Sequence, residues 1–196
     1  MKTFLREFVV ILVLGIALFF LIQTAVQSSI VVYSSMEPNL HPGQRLIINK
    51  IVYRFHEPER GDVIVFPNPN NPDEDFIKRI VGLSGEAIEI KDGAVYINGL
   101  RLDEPYIKDP HIRPFPEQNI PEDNYFVLGD NRNNSTDSRA GWTVFQQDIV
   151  GQAWLSTWPP SEWGLAPNYS PTLIAVKVMS SYLPLLGVVR RGEVDK

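Results

Sequence analysis

The stretch "AIEIKDGAVYING", Ala87 to Gly99, places apolar residues at alternating positions on both sides of Asp92-Gly93. Asp-Gly is a dipeptide favoured in two-residue turns between antiparallel strands. Alternation with a period of two is typical of a strand that turns one face toward a core. Asn98-Gly99 adds another turn signal directly afterwards. The stretch therefore predicts a β-hairpin that continues into a further turn.

Similar short runs occur on both sides of this hairpin. They are rich in β-branched residues and bounded by Gly, Pro or Asn, as strands commonly are. Helical periodicity is nearly absent after the N-terminal segment, and no internal repeat occurs. The sequence thus predicts an all-β fold, a mainly antiparallel β domain, with loops at "FPNPNNPDED" and "KDPHIRPFPEQNIPED". The predicted strands outside the hairpin are Gln44–Val52, Asp62–Phe66, Asp75–Leu83, Asn124–Gly129 and Ile149–Trp158.

The N-terminal segment departs from the β pattern. No charge occurs from Phe8 until Glu37, and a helix from Phe8 to Val26 would be about 28 Å long, close to a bilayer core of about 30 Å. Lys2 and Arg6 precede the apolar run, which favours a cytoplasmic N-terminus. A cleaved signal peptide is the alternative, although its apolar core is usually only about 7–15 residues long. We expect a retained transmembrane anchor.

These patterns predict a single-pass protein of the cell membrane in four parts. They are a short cytoplasmic N-terminus (residues 1–7), a transmembrane helix (8–27), an extracytoplasmic β domain (28–170) and a C-terminal tail (171–196). The tail is apolar, but Lys177 and Pro184 interrupt it. We therefore expect an interfacial or packed tail, with a second membrane crossing as the alternative.

Composition limits the possible functions. The chain has 196 residues and a net charge of −5, so it offers no basic surface for nucleic acid. Cysteine is absent, which excludes disulfides, thiolate catalysis and cysteine-ligated metals. His41, His56 and His111 lack the spacing of a known metal motif. We expect no metal, no cofactor and no nucleic-acid partner, and we expect a monomer that contacts the lipid bilayer.

Two serines in "VVYSSMEPNL", Val31 to Leu40, lie a few residues beyond the apolar run. A nucleophilic serine needs a group that takes its proton, and no histidine here has a recognisable catalytic context. Lysine can serve once burial in apolar surroundings lowers its pKa. Lys78 in "DFIKRIVGL" has such neighbours, and a strand directs Lys78 and Arg79 to opposite faces, one to the interior and one to water. A solvated edge-strand lysine is the alternative.

The stretch "GDNRNNSTDSR", Gly129 to Arg139, follows a predicted strand and is polar or charged at every position after its glycine. Such a stretch is ordinarily a turn. Its two aspartates, two arginines and two serines are also sufficient for a buried network of mutually paired groups. A network of this kind can orient a neutral lysine amine through a hydroxyl.

Four stretches, "SSMEPNL", "RGDVIVF", "FIKRIVGLSGE" and "GDNRNNSTDSR", resemble in order and spacing the successive motifs of type I signal peptidases. These are membrane-bound serine proteases with a Ser–Lys dyad. The similarity extends from the anchor to about Trp163, and the last stretch matches GDNRxxSxDSR at every fixed position. The resemblance implies a β-rich catalytic domain that cuts signal peptides from exported preproteins after small-x-small sites.

The same resemblance assigns roles to individual residues. It implies that Ser35, the serine before Met36, is the nucleophile and that Lys78 is the general base. It further implies that Ser135 hydrogen-bonds and positions the lysine. The residues expected to support the site are Asp137 and Arg139, as an ion pair beneath it, and Asp130 and Arg132, in the same loop.

Several positions depart from the family pattern. Tyr33 stands where Ser or Gly is usual, and a serine there helps to form the oxyanion hole. Asn39 replaces a common Thr, Ser84 and Glu86 replace Pro and Asp, and the aromatic–Gly order after the last motif is reversed as "AGW". Two other interpretations stay open: a membrane-tethered β module that binds without catalysis, and a self-cleaving protein with Ser–Lys chemistry.

Overall fold

The computed structural model describes residues 2–110 and 113–174. Most of the predicted tail, from residue 175 onward, therefore lies outside the described residues. The elements in chain order are α1 (Lys2–Ala25), β1 (Val26–Ile30), β2 (Arg45–Asn49), β3 (Val63–Asn68), β4 (Asn71–Gly82), β5 (Ala87–Lys91), β6 (Ala94–Ile97), β7 (Leu100–Leu102), β8 (Phe115–Asn119), β9 (Asn124–Leu128), β10 (Val144–Phe145), β11 (Gly151–Trp158), β12 (Gly164–Leu165) and β13 (Leu173–Ile174).

The helix α1 is long and apolar enough to cross a membrane. Its apolar stretch Thr3–Ala25 has a mean hydropathy of 2.7, and none of it is buried against the rest of the protein. A helix of this length measures about 34 Å. It begins before the span predicted at 8–27, and it ends at Ala25 because β1 starts at the next residue.

The strands form two antiparallel sheets, which confirms the predicted mainly antiparallel β fold. The larger sheet has the order β1-β2-β11-β3-β4-β9-β10, with β12 paired to β11. The smaller sheet has the order β13-β7-β6-β5-β8. Within the described residues, β4 lies between β3 and β9, so the strand that carries Lys78 is an interior strand of the larger sheet.

The hairpin predicted around Asp92-Gly93 forms. β5 pairs with β6 through Ile90 opposite Val95, and the turn residues Asp92 and Gly93 have φ of 50° and 77°. Positive φ at both central positions is the geometry that favours Asp-Gly. Asn98 also has positive φ, 50°, and makes the turn into β7.

Both stretches predicted as loops contain strand. Residues 71–75 extend β4 toward its exposed end, and Phe115–Asn119 form β8. β8 is the last strand of its sheet, and an edge strand tolerates Pro116 because one side of it needs no ladder hydrogen bonds. The loop prediction was wrong in these segments because proline was taken as a strand breaker without regard to position in the sheet.

A buried apolar cluster holds the segment with the two serines. Met36 and Leu40 are almost fully buried among side chains of β2, β3 and β11 such as Leu46 and Val65. Burying such side chains contributes about 1.5–3 kcal/mol each. The turn between them is therefore fixed on the larger sheet, and Ser35 with it.

Candidate active site

Ser35 and Lys78 meet at the centre of the site. Ser35 lies in a short 3₁₀ turn, Ser34–Met36, and Lys78 lies within β4. The Lys78 Nζ donates to Ser35 Oγ at 2.7 Å and to the Ile77 carbonyl at 2.9 Å. Ser35 is 8% exposed and Lys78 only 3%. A solvated edge-strand lysine is thereby excluded.

Burial makes the amine of Lys78 easier to deprotonate. Loss of solvation lowers the pKa of Lys78 to about 8, while the charges of Asp137 and Asp130 act in the opposite direction. The face of the Phe76 ring, with its centroid 4.9 Å from Nζ, also favours the charged amine. Desolvation dominates these opposing effects, so the amine reaches its neutral form at far lower pH than an exposed lysine.

Arg79 does point away from Lys78, but it does not reach water. It is 0% exposed, and its guanidinium donates to both Asp130 oxygens at 2.8 and 2.7 Å. The rings of Tyr106 and Tyr169 lie 4.4 and 5.1 Å from its Cζ. The expectation that one of the two cations is solvated was wrong because the loops that carry these tyrosines cover the second face of β4.

The loop of residues 129–139 forms one internal ion pair. Arg139 donates to both Asp137 oxygens, at 2.7 and 2.8 Å, in the pairing that the resemblance implies. Asp130 instead pairs with Arg79 of β4, and Arg132 pairs with Glu104 at 2.6 Å. Asp130 and Arg132 therefore pair with residues elsewhere in the domain, whereas Asp137 and Arg139 pair with each other.

Ser135 lies at the site without making the hydrogen bond that the resemblance implies. Its Oγ is buried and has no hydrogen-bond partner among the residues that the structure describes, whereas Lys78 donates to Ser35 and Ile77. Ser135 nevertheless lines the same groove as Lys78. A Cβ on Gly129 would lie 2.3 Å from Ser135 Oγ and 2.5 Å from Ser35 O, so only glycine lets these segments approach so closely.

Three asparagines connect the serine segment to this loop, and one of them, Asn134, donates from Nδ2 to Ser34 Oγ at 3.1 Å. Asn131 donates from its backbone N–H to Ser35 O at 3.0 Å and from its side chain to Ser34 O at 3.1 Å. Asn39 donates from Nδ2 to Asp130 Oδ2 at 2.8 Å and to the Tyr106 carbonyl at 2.7 Å. One feature of the sequence hinted at these contacts, namely Asn39 in place of a common Thr.

Two grooves meet at Ser35 and Lys78. The first has a volume of about 390 Å³ and runs between β1 with its following residues (29–33) and residues 74–78 of β4, over Leu46 and Val65. The second, about 630 Å³, extends toward residues 133–136. Tyr33 borders both grooves. Within residues 2–110 and 113–174, no group of three or more His, Cys, Asp or Glu side chains could hold a metal.

Comparison with known proteins gives consistent matches. The family model described as "Signal peptidase, peptidase S26" matches residues 5–158. A probable signal peptidase I-2 from Synechocystis sp. is 43% identical over 162 residues, which cover 80% of this chain and 72% of that protein. A signal peptidase I from Leptolyngbya laminosa is 41% identical over 170 residues, 82% of this chain and 81% of that protein. A crystal structure of a signal peptidase I from Enterococcus faecalis V583 has 36% sequence identity and a TM-score of 0.46, covering 50% of this chain and 97% of that one.

Proposed function

The chain belongs to the signal peptidase family, and we propose that it is a membrane-anchored serine endopeptidase that removes N-terminal signal peptides from exported preproteins. The proposal rests on one observation above all. Lys78 Nζ lies 2.7 Å from Ser35 Oγ in a site that holds both side chains out of water. No histidine is needed for a serine activated in this way.

In the proposed reaction, Ser35 is the nucleophile and Lys78 the general base. Neutral Lys78 accepts the hydroxyl proton as Ser35 Oγ attacks the scissile carbonyl carbon. The backbone N–H of Ser35 donates to the developing oxyanion, and one such donor is typically worth about 3–4 kcal/mol. The C–N bond breaks, the amine of the mature protein leaves with a proton, and Lys78 then activates a water that hydrolyses the acyl-enzyme.

The supporting residues keep this pair in place. Asp137 with Arg139 and Asp130 with Arg79 are ion pairs beneath and beside the dyad. Arg132, through its pair with Glu104, holds the same loop, and the Ser135 hydroxyl is available for the lysine amine once that amine turns from Ser35.

The first groove suits an extended signal peptide. β1 is the first strand of its sheet, so its outer edge can pair with an added strand, and residues 74–78 of β4 border the opposite side of the groove. Small residues at the first and third positions before the cut fit a channel of about 390 Å³. We infer that this channel accounts for cleavage after small-x-small sites.

We further propose a single-pass topology. The helix α1 crosses the membrane with residues 1–7 in the cytoplasm, and the domain from residue 28 to about residue 170 lies on the extracytoplasmic side as a monomer. Lys2 and Arg6 before the apolar run support this orientation. Ser35 follows the end of α1 by ten residues, which keeps the nucleophile near the membrane surface where a signal peptide emerges.

The test is cleavage of a purified preprotein, with the cut mapped by mass spectrometry. Wild-type protein should release the mature chain, and Ser35→Ala or Lys78→Ala should release none while keeping the wild-type circular dichroism spectrum. The exposed Ser161→Ala and Lys91→Ala serve as matched controls and should cut normally. Normal processing by either dyad variant refutes the proposal, as does cleavage confined to the protein's own chain.

A further inference from the structure

The second groove differs in chemistry from the first. Its lining includes the carboxamides of Asn68 and Asn134, the hydroxyls of Ser34 and Thr136, and the carboxylate of Glu74. The first groove is lined mainly by apolar residues, and its acidic side chains are Asp75 and Glu74, of which Glu74 lines both grooves. Both include Ser35 and Lys78, so an extended peptide with its scissile bond at Ser35 passes from one groove into the other.

The direction of that passage follows from the proposed function, on which this inference rests. Small apolar residues before the cut occupy the first groove, so the residues after the cut enter the second. The first two to three residues after the cut, in extended form, span about 7–10 Å from the scissile bond at about 3.3 Å per residue, so these are the residues that enter the second groove. Ser135 also lines this groove, and its hydroxyl is buried without a hydrogen-bond partner among the described residues.

Among the described residues, Glu74 is the acidic side chain that lines the second groove, and it lines the first groove as well. It is exposed, and within the described part of the chain it forms no ion pair. Asp73 and Asp75 flank it on β4, and both are also exposed. Of the described residues that line the groove, Lys78 is the one cation, and it must be uncharged when it acts as a base.

We propose that the second groove binds the first residues of the mature chain, and that Glu74 makes it select lysine or neutral polar side chains over acidic ones there. The property that the groove would select is the charge of the side chains that directly follow the cleavage site in the preprotein. An exposed ion pair changes an equilibrium by roughly two- to fivefold, and repulsion of an acidic side chain adds to the contrast.

The experiment compares three peptide substrates that differ only in the second residue after the cut: Lys, Gln or Glu. Full-length protein in detergent micelles is assayed for kcat/KM with each peptide, as wild type, as Glu74→Gln and as Asp73→Asn. Asp73 is the matched control because it is an exposed carboxylate next to Glu74 that lines neither groove. A second peptide set carries the same charge changes five residues before the cut.

We expect the Lys-to-Glu ratio of kcat/KM to fall about three- to tenfold in Glu74→Gln. Asp73→Asn should keep most of the preference, and high salt should weaken it in the wild type. An unchanged ratio in Glu74→Gln overturns the inference, and so does an equal change for charges placed before the cut. Failure of the wild type to cut even the Gln peptide would instead refute the proposed function.

Discussion

Activity should rise with pH until Lys78 has lost its proton, because only the neutral amine can accept the proton of Ser35. Burial lowers the pKa of Lys78 from 10.5 to about 8. With a pKa of about 8, roughly one amine in ten is neutral at pH 7, whereas at the ordinary value roughly one in three thousand would be. The buried site therefore supplies about 300-fold more of the neutral amine at pH 7.

The measurement is kcat/KM for a signal-peptide substrate from about pH 6 to about pH 10 at constant ionic strength. We expect a tenfold rise per pH unit well below pH 8 and a plateau above about pH 9. Lys78→Arg, whose guanidinium stays charged, should be inactive throughout. A limb centred near pH 6.5, the usual range of an imidazole, would indicate a histidine base, and a limb near pH 10.5 would show that the amine of Lys78 is not desolvated. Either outcome would refute the role given to burial.

Three further variants test the construction of the site. Lys78→Met should abolish cleavage yet raise the free energy of unfolding at pH 7 by about 1–2 kcal/mol, because protonating a buried amine costs about 3 kcal/mol and two hydrogen bonds of about 1 kcal/mol each are lost. Between about pH 8 and 10.5, Lys78 is protonated in the unfolded wild-type chain but neutral in the folded one, so the wild type becomes more stable as pH rises. The stability advantage of Lys78→Met should therefore shrink across that window, and an advantage that grows would contradict the lowered pKa of Lys78. Gly129→Ala should lower kcat more than 100-fold, since its Cβ would collide with Ser135 Oγ, and rates within threefold of wild type would disprove the close packing. Asn39→Ala should cost about 1–3 kcal/mol in urea unfolding and lower kcat at unchanged KM, because Asp130 loses a buried donor; a change in KM alone would assign Asn39 to substrate binding instead.

Local sequence patterns were sufficient to predict much of the fold. The hairpin around Asp92-Gly93 formed because its turn chemistry, alternation and strand length all favour one structure. The long apolar helix was equally predictable from local sequence, but its end at Ala25 was not. The helix ends there because Val26 begins β1, and β1 forms by pairing with the distant strand β2. Strand ends that depend on a distant partner cannot be read from local sequence.

The candidate site was predictable in its residue types and not in its contacts. Lys78 and Ser35 are separated by 43 positions, and their approach depends on the larger sheet and on a turn anchored by Met36. The pairing of Asp130 with Arg79, and that of Arg132 with Glu104, joins segments whose proximity only the tertiary structure establishes. Alternation along β4 correctly separated the two cations, but it could not reveal that loops cover both faces of the strand.

The arginines explain how the lysine can be neutral beside two aspartates. Unpaired buried carboxylates would hold a proton on a nearby amine, and the charges of Asp137 and Asp130 do act on Lys78 in that direction. Each carboxylate, however, receives two hydrogen bonds from an arginine, Arg139 in one case and Arg79 in the other. Because arginine stays charged, these pairs cancel much of the negative field, and desolvation can then determine the pKa of the amine. On this reasoning, the two ion pairs serve the chemistry of Lys78 as well as the packing of the loop.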